Sequence, residues 1–413
     1  MQKLSILVIA DAPIIQHSCS IVAGQLSKQW VRQGHTVNYL GYGLHIPEPI
    51  DYKEGYKIYP DTVPLTQKQS VLNCINKIGR VDIIYLHGSK NIFKGAVDAG
   101  KERNIPVVCH TFFSTPSTTD KVTTFEAKNG FALQDCKDVS DLFVCNKFSV
   151  GVGFGLGKRS WYVGNGVDTE IFYPNDEYCC NAEYRNKLGI PNDAFVFLFS
   201  GTNMLGKDPG RTLEAFKRFY NKDTESRKNC YLVMHTQPET VYLNLPRIAE
   251  ELGIKEHVKF FTDAFPEWKM PPEADKNYQK SAVSPPYLNT PYDLMGKVMR
   301  TGNVLIATTL LEGMSTTILE AMGCGLPVIC SDDEVISEPV SNYSTGLLCR
   351  RHLTNECVTE DIIENMEKLF LDNDFYKELS RNAAEYIRIK HDWAVLAKQF
   401  IRHFEILISN YYK

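Results

Sequence analysis

Near the start of the chain, apolar residues gather in two short runs, Leu4 to Ala10 and Thr36 to Leu40. Between them Ser20 to Gln33 carries apolar residues at three- and four-residue spacing, and Gly34 follows as a stop. Short apolar runs read as strands buried on both faces, and the spaced stretch reads as an amphipathic helix. The pattern recurs along the chain. Strands are predicted at Val81 to His87, Ile105 to His110, Asp141 to Cys145, Trp161 to Val163, Ala194 to Ser200, Tyr231 to His235, Val258 to Thr262, Val304 to Ala307 and Leu326 to Cys330. Helices are predicted at Arg211 to Tyr220, Tyr292 to Thr301, Thr316 to Gly323, and from Thr359 to Tyr412. Strands alternating with helices predict an α/β chain with parallel sheets.

The centre of this organisation is Asn303 to Asp332. Here a buried strand turns through Glu312-Gly313-Met314-Ser315 into an apolar helix and then into another strand. Gly313 lets a ligand approach the backbone, Ser315 and Thr316 suit a helix start, and the first amides of such a helix favour an anion. Glu320 stands among Ile318, Leu319, Ala321 and Met322, where an unpaired charge is costly unless a partner accepts it. Glu312 and Glu320 are each bidentate acceptors suited to paired sugar hydroxyls.

A second turn, Gly201 to Lys207, joins a strand to a helix start and offers a lysine as a point charge for a phosphate. His87 and His110 both close strands, at the edge where open α/β sheets bind ligands. Such a histidine is more often structural than catalytic, and the pairing of two at neighbouring strand ends raises the catalytic reading, His110 before His87.

The totals narrow the class. A length of 413 residues with 43% hydrophobic content suits two domains, and the Pro- and charge-rich Tyr173 to Asp193 reads as their boundary. The net charge of −4 supplies no strong pull toward nucleic acid or an anionic membrane. The 12 cysteines lack metal-ligand spacing and read as free thiols of a reducing, cytoplasmic protein. No apolar run approaches the ~20 residues of a spanning helix. Asp263 to Pro291 is a long Pro-rich connection, and Phe112 to Thr124 a Ser/Thr-rich loop.

The stretch EGMSTTILEAMGCGLPVICS resembles the two-glutamate signature of the retaining nucleotide-sugar glycosyltransferases of family 4, close to EGFG...LEAMACGLPVIAS. Asn165-Gly166-Val167-Asp168 with Phe172 and Pro174 is similar to that family's NGVD segment, Thr345 to Leu348 to its following strand, and His391-Asp392-Trp393 to its last helix start. The resemblance implies the GT-B fold, two Rossmann-like domains facing across a cleft. Their expected bounds are 1–175 on the acceptor side and 176–385 on the nucleotide-sugar side, with a helix over 386–413 crossing back to the first domain.

It further implies retaining transfer of a hexose-type sugar from a nucleotide-diphosphate sugar, UDP- or GDP-linked, with no metal or other cofactor. Lys207, Gly201, Met314, Ser315 and Thr316 would meet the diphosphate, Glu320 the ribose, Glu312 the sugar, and His110 the transferred group. Thr202 stands where the family has an arginine, so that either Arg211 or another cation substitutes or the diphosphate is held more weakly. Asp333-Glu334 replaces a Gly-Gly pair, and Gln16 to Ser20 replaces the first glycine loop. The acceptor is open among glycan, lipid-linked glycan, protein and modified nucleic acid. The alternatives are a GT-B epimerase or phosphorylase, and a binding protein that has lost catalysis.

Overall fold

In the computed structural model the described residues are 3–15, 18–42, 44, 48–60, 68–88, 93–111, 138–174, 181–269, 288, 290–310, 312–313, 315–354 and 356–413. Met314, the run from Phe112 to Thr124, Gln16 and His17, and most of the Pro-rich connection lie outside them. Packing divides the described chain into two units. The first takes the described residues up to Gly166 together with His391–Lys413, and the second takes Val167–Lys390. The sequence reading put these limits at 175/176 and 385/386. The chain joins the second unit already at Val167 because Val167 and Phe172 lie against Gly323, where an added Cβ would stand 3.3 Å from each.

The first unit is built on strands β1 (Ser5–Asp11), β2 (Thr36–Tyr42), β3 (Ile50–Tyr52), β4 (Tyr56–Pro60), β5 (Ile83–His87), β6 (Val107–Thr111), β7 (Asp141–Val144) and β8 (Ser160–Tyr162). They lie in the order β3-β4-β2-β1-β5-β6-β7-β8, parallel except for β3 against β4. Successive side chains of β1 go to opposite faces. Ile6, Val8 and Ala10 join Trp30 of α1 (Ser18–Arg32) and Phe400 and Phe404 of the final helix, Trp393–Tyr411. Leu7 and Ile9 join Val71 and Ile75 of α2 (Lys68–Ile78) and Ala96 of α3 (Phe93–Arg103). Burial on both faces explains why β1 reads as a nearly continuous apolar run.

Gly166 is fixed by this packing, since a Cβ there would stand 2.3 Å from the Trp393 ring. The β3–β4 hairpin is absent from the sequence reading. Its signal is the short alternation around Gly55, which takes a positive φ of 86° at the turn.

The second unit holds β9 (Phe195–Ser200), β10 (Cys230–His235), β11 (Val258–Phe260), β12 (Val304–Ala307), β13 (Val328–Ser331) and β14 (Gly346–Cys349). All pairs are parallel, in the order β11-β10-β9-β12-β13-β14. Its helices include α4 (Pro209–Lys222), α5 (Thr316–Gly323), α6 (Thr359–Leu371) and α7 (Asn373–Lys390). The stretch read as one helix over Tyr292 to Thr301 is a 3₁₀ turn, Tyr292–Leu294, followed by a short helix, Met295–Met299. A fully buried Arg185 pins the base of this unit. It donates to the carbonyls of Thr301 at 3.0 Å and Ala194 at 2.8 Å and to Asn303 Oδ1 at 2.8 Å.

Strand order marks where each sheet opens. In the second unit the winding reverses between β9 and β12, and in the first between β1 and β5. At such a reversal the connections leave in opposite directions and a crevice forms beyond the carboxyl ends of the strands.

Candidate active site

At the reversal point of the second unit, β9 ends in Ser200 and runs through Gly201, Thr202 and Asn203 into a 3₁₀ turn, Leu205–Lys207. Asp208 takes a left-handed φ of 47° and caps α4 by accepting from the Arg211 amide at 3.3 Å. The neighbouring β12 leads through Thr308 and Leu310 to Glu312, Gly313 and Ser315, the first residue before α5. The two turns are tied together. The Thr308 hydroxyl donates to the carbonyls of Lys207 at 3.0 Å and Asp208 at 2.9 Å, and the Leu310 amide donates to the Gly206 carbonyl at 2.9 Å.

That registration brings Lys207 Nζ onto the Glu312 carboxylate, with the two side chains 24% and 23% exposed. Burial pushes the Lys207 ammonium down to about 8. The Ser315 hydroxyl makes no cap bond to α5. Unsatisfied amides and a positive dipole end are what a phosphate seeks.

Glu320 is the fifth residue of α5, partly buried, and burial raises its carboxyl to about 7. Beside it, burial and the charges of Glu320 and Asp168 hold the Tyr292 phenol well above its ordinary value. Tyr292 packs edge-on against Phe172 at 5.7 Å. Neither Tyr292 nor Asp168 carried a local sequence signal that would assign it to this site.

The other candidates take different surroundings. Thr202 is 4% exposed. Arg211 gives its Nε to Asp208 Oδ2 at 2.6 Å and its Nη1 to Thr359 Oγ1 at 3.2 Å, so its guanidinium is anchored at the start of α6. Gly201 has a nearest neighbour 3.7 Å from a built Cβ, and Gly313 is buried. In the loop after β13, Asp333 stands where the resemblance has glycine. Its Oδ1 accepts from the amides of Val335 at 2.9 Å and Ile336 at 3.2 Å.

In the first unit, His87 ends β5 and His110, one residue before the end of β6, lies beside it, ring centroids 4.9 Å apart. His110 is 1% exposed. Its Nδ1 is 2.7 Å from the Tyr85 hydroxyl and its Nε2 3.1 Å from Cys145 Sγ, while Cys145 Sγ lies 3.5 Å from Asn165 Oδ1. With the thiol donating to Asn165, Nε2–H donates to sulfur and Nδ1 accepts from Tyr85, which makes the ring neutral. Burial and the neighbouring His87 hold the His110 ring well below its ordinary value. Phe400 closes over it edge-on at 5.1 Å.

Against solved structures, this chain is similar to sucrose-phosphate synthase from Thermosynechococcus elongatus, with a TM-score of 0.71 at 13% identity, covering 99% of this chain and 100% of that one. It is similar also to Anabaena HepE in complex with UDP-glucose, with a TM-score of 0.69 at 15% identity, covering 97% and 99%. The fold is GT-B. At these identities the likeness is one of fold. Within the GT-B chain, residues 276–386 match the family model Glycosyl transferases group 1, a stretch that includes Glu312, Glu320 and Asp333. A curated relative, D-inositol 3-phosphate glycosyltransferase of Stackebrandtia nassauensis, is 27% identical over 191 residues, covering 45% of this chain and 36% of that protein. Among the described residues no helix is long and apolar enough to cross a membrane.

Proposed function

We propose that this GT-B chain is a retaining glycosyltransferase, moving a hexose-type sugar from a UDP- or GDP-linked donor to an acceptor hydroxyl. The observation that carries this reading is the meeting of Lys207 and Glu312 at the reversal point of the second sheet, beside the start of α5. In this reading a cation and a row of helix amides would face the diphosphate leaving group as it develops charge. Preorganised positive groups there lower the barrier.

In the donor complex Lys207 would exchange the Glu312 carboxylate for the diphosphate, and the amides of Ser315 and Thr316 would share its charge. Glu312, so released, would accept from the sugar hydroxyls, and Glu320 from the ribose diol. Lys207 and the helix start supply the positive charge at the leaving group, so the reading needs no metal. The acceptor proton would pass to the leaving phosphate on the same face, which gives retention without a protein nucleophile. His110, with both ring nitrogens engaged, would act by fixing the ends of β5 and β6 and not by touching the sugar. The buried thiols of Cys109, Cys145, Cys324 and Cys330 fit a reducing cytoplasm.

Calorimetric titration of UDP and GDP into the wild type and Lys207→Ala tests the donor half of this reading. Binding of one nucleotide, weakened at least about tenfold in the variant, is expected. Equal binding by both proteins would reject Lys207 as the diphosphate ligand.

A further inference from the structure

The segment that carries Glu312 belongs to no helix or strand, so other groups must hold it. Thr308 is one anchor, through the carbonyls of Lys207 and Asp208. The next carbonyl, that of Thr309, accepts from Ser331 Oγ at 2.7 Å. Leu310, two residues before Glu312, is another anchor. Its amide donates to the Gly206 carbonyl, and its own carbonyl accepts from Arg351 Nη2 at 2.8 Å. Arg351 gives its Nη1 to the Asp333 carboxylate, with the two side chains 16% and 3% exposed. Three strand ends thus meet at one guanidinium: the loop after β12 through Leu310, the loop after β13 through Asp333, and Arg351 itself after β14.

Burying such a pair costs desolvation energy, and its return here is geometric. We propose that Arg351 is a positioning residue for Glu312, with Asp333 aiming its guanidinium so that it braces Leu310 and holds the Glu312 turn against Lys207. The proposal rests on the role given to Glu312 above. The guanidinium serves the carboxylate from Nη1 and the carbonyl from Nη2 in one rigid plane, a fixed geometry that a lysine's single rotatable ammonium does not reproduce. The Asp333-for-glycine departure thereby acquires a purpose, since glycine has no carboxylate to orient Arg351.

Two measurements test the brace. The first is amide hydrogen exchange of the full chain as wild type, Arg351→Ala and Asp333→Asn. Exchange at Leu310 and its neighbours should rise about tenfold or more in Arg351→Ala, with the first unit unchanged. Should that variant loosen the whole second unit, Asp333→Asn, which keeps an acceptor for Val335 and Ile336, must show the local rise alone. Unchanged exchange at Leu310 would overturn the brace whatever the protein catalyses.

The second is a double-mutant cycle on nucleoside diphosphate release. Arg351→Ala should lower kcat by about 10- to 100-fold in the wild type and by less than about twofold in a Glu312→Gln background. Arg351→Lys should resemble Arg351→Ala. Full additivity with Glu312→Gln would overturn action through Glu312. A wild type that releases nothing from any donor while exchange reports an intact brace would overturn the transferase reading and leave the brace standing.

Discussion

Lys207 Nζ donates to the Glu312 carboxylate, joining residues 105 positions apart across the loops that follow β9 and β12. Each group keeps the other's charge satisfied in a partly dry site, and each is spent on its partner until a ligand replaces it. A diphosphate competes for the lysine with more negative charge than one carboxylate supplies. In this account the ion pair is a placeholder for the donor.

Removing one partner has a predictable sign. Lys207→Ala leaves Glu312 without its cation and removes charge from the leaving group, so kcat/KM should fall by about 10²- to 10³-fold. Glu312→Gln keeps a neutral hydrogen-bonding group beside Lys207 and should retain nucleoside diphosphate affinity while sugar-dependent turnover falls by about 10²-fold to a residual, measurable rate. Titration of UDP against UDP-glucose on both variants separates the two effects.

The pH dependence follows from Glu320 and Lys207. Glu320 accepts ribose hydroxyls best when ionised, so donor affinity should climb as pH rises through about 7. Lys207 loses its charge above about 8, so affinity should fall again beyond that value. A bell is expected for the wild type, and Glu320→Gln should lose its acid limb only. An acid limb that survives in Glu320→Gln would assign it to another group.

Stability moves with the same group. The folded carboxyl of Glu320 sits above its unfolded value, so the folded state binds the proton more tightly. Its contribution is fully present below the unfolded value of about 4.5 and is lost as pH rises through about 7. Glu320→Gln should therefore remove a part of the decline in melting temperature across that window. A decline of equal size in the variant would exclude Glu320 as its source.

Two glycines contrast packing with function. Gly166→Ala drives a methyl into the Trp393 ring and should cost about 1–3 kcal/mol, read as a lower melting temperature. Gly201→Ala has room, its nearest neighbour standing 3.7 Å away, and should leave stability within about 0.5 kcal/mol. If the backbone at Gly201 approaches the donor, that variant should still bind nucleotide more weakly.

His110 offers the sharpest division between interior and catalytic readings. As a buried ring hydrogen-bonded at both nitrogens, it should cost about 2–4 kcal/mol of stability when replaced by alanine. A residue acting on the sugar would instead lower kcat with the melting temperature intact. Thermal unfolding and turnover measured on one His110→Ala preparation distinguish them.

The sequence exposes the fold where burial is two-sided. β1, β5, β6, β9 and β12 are apolar because both sheet faces are covered, and the alternation with helices follows from parallel pairing. β3 left no apolar run because it is a largely exposed three-residue edge strand, and β4, though mostly buried, is a short stretch interrupted by the exposed Lys57. The site was legible where chemistry is local: Glu312, Ser315, Thr316 and Glu320 fall within one turn and helix. What brings Lys207 to Glu312 is not local. Thr308 and Leu310 make that connection through backbone carbonyls, which any sequence could supply. Arg351 and Asp333 meet from different strand ends, and the anchoring of Arg211 at Thr359 depends on how α4 and α6 pack.

The most direct measurement of the central claim is release of nucleoside diphosphate from UDP-, GDP- and ADP-sugars, run on the wild type, Lys207→Ala and Glu320→Ala side by side. Release from one donor by the wild type, lost in both variants, is the predicted result. Release that persists in both variants, or none from any donor by a wild type that binds the nucleotide, would contradict the account.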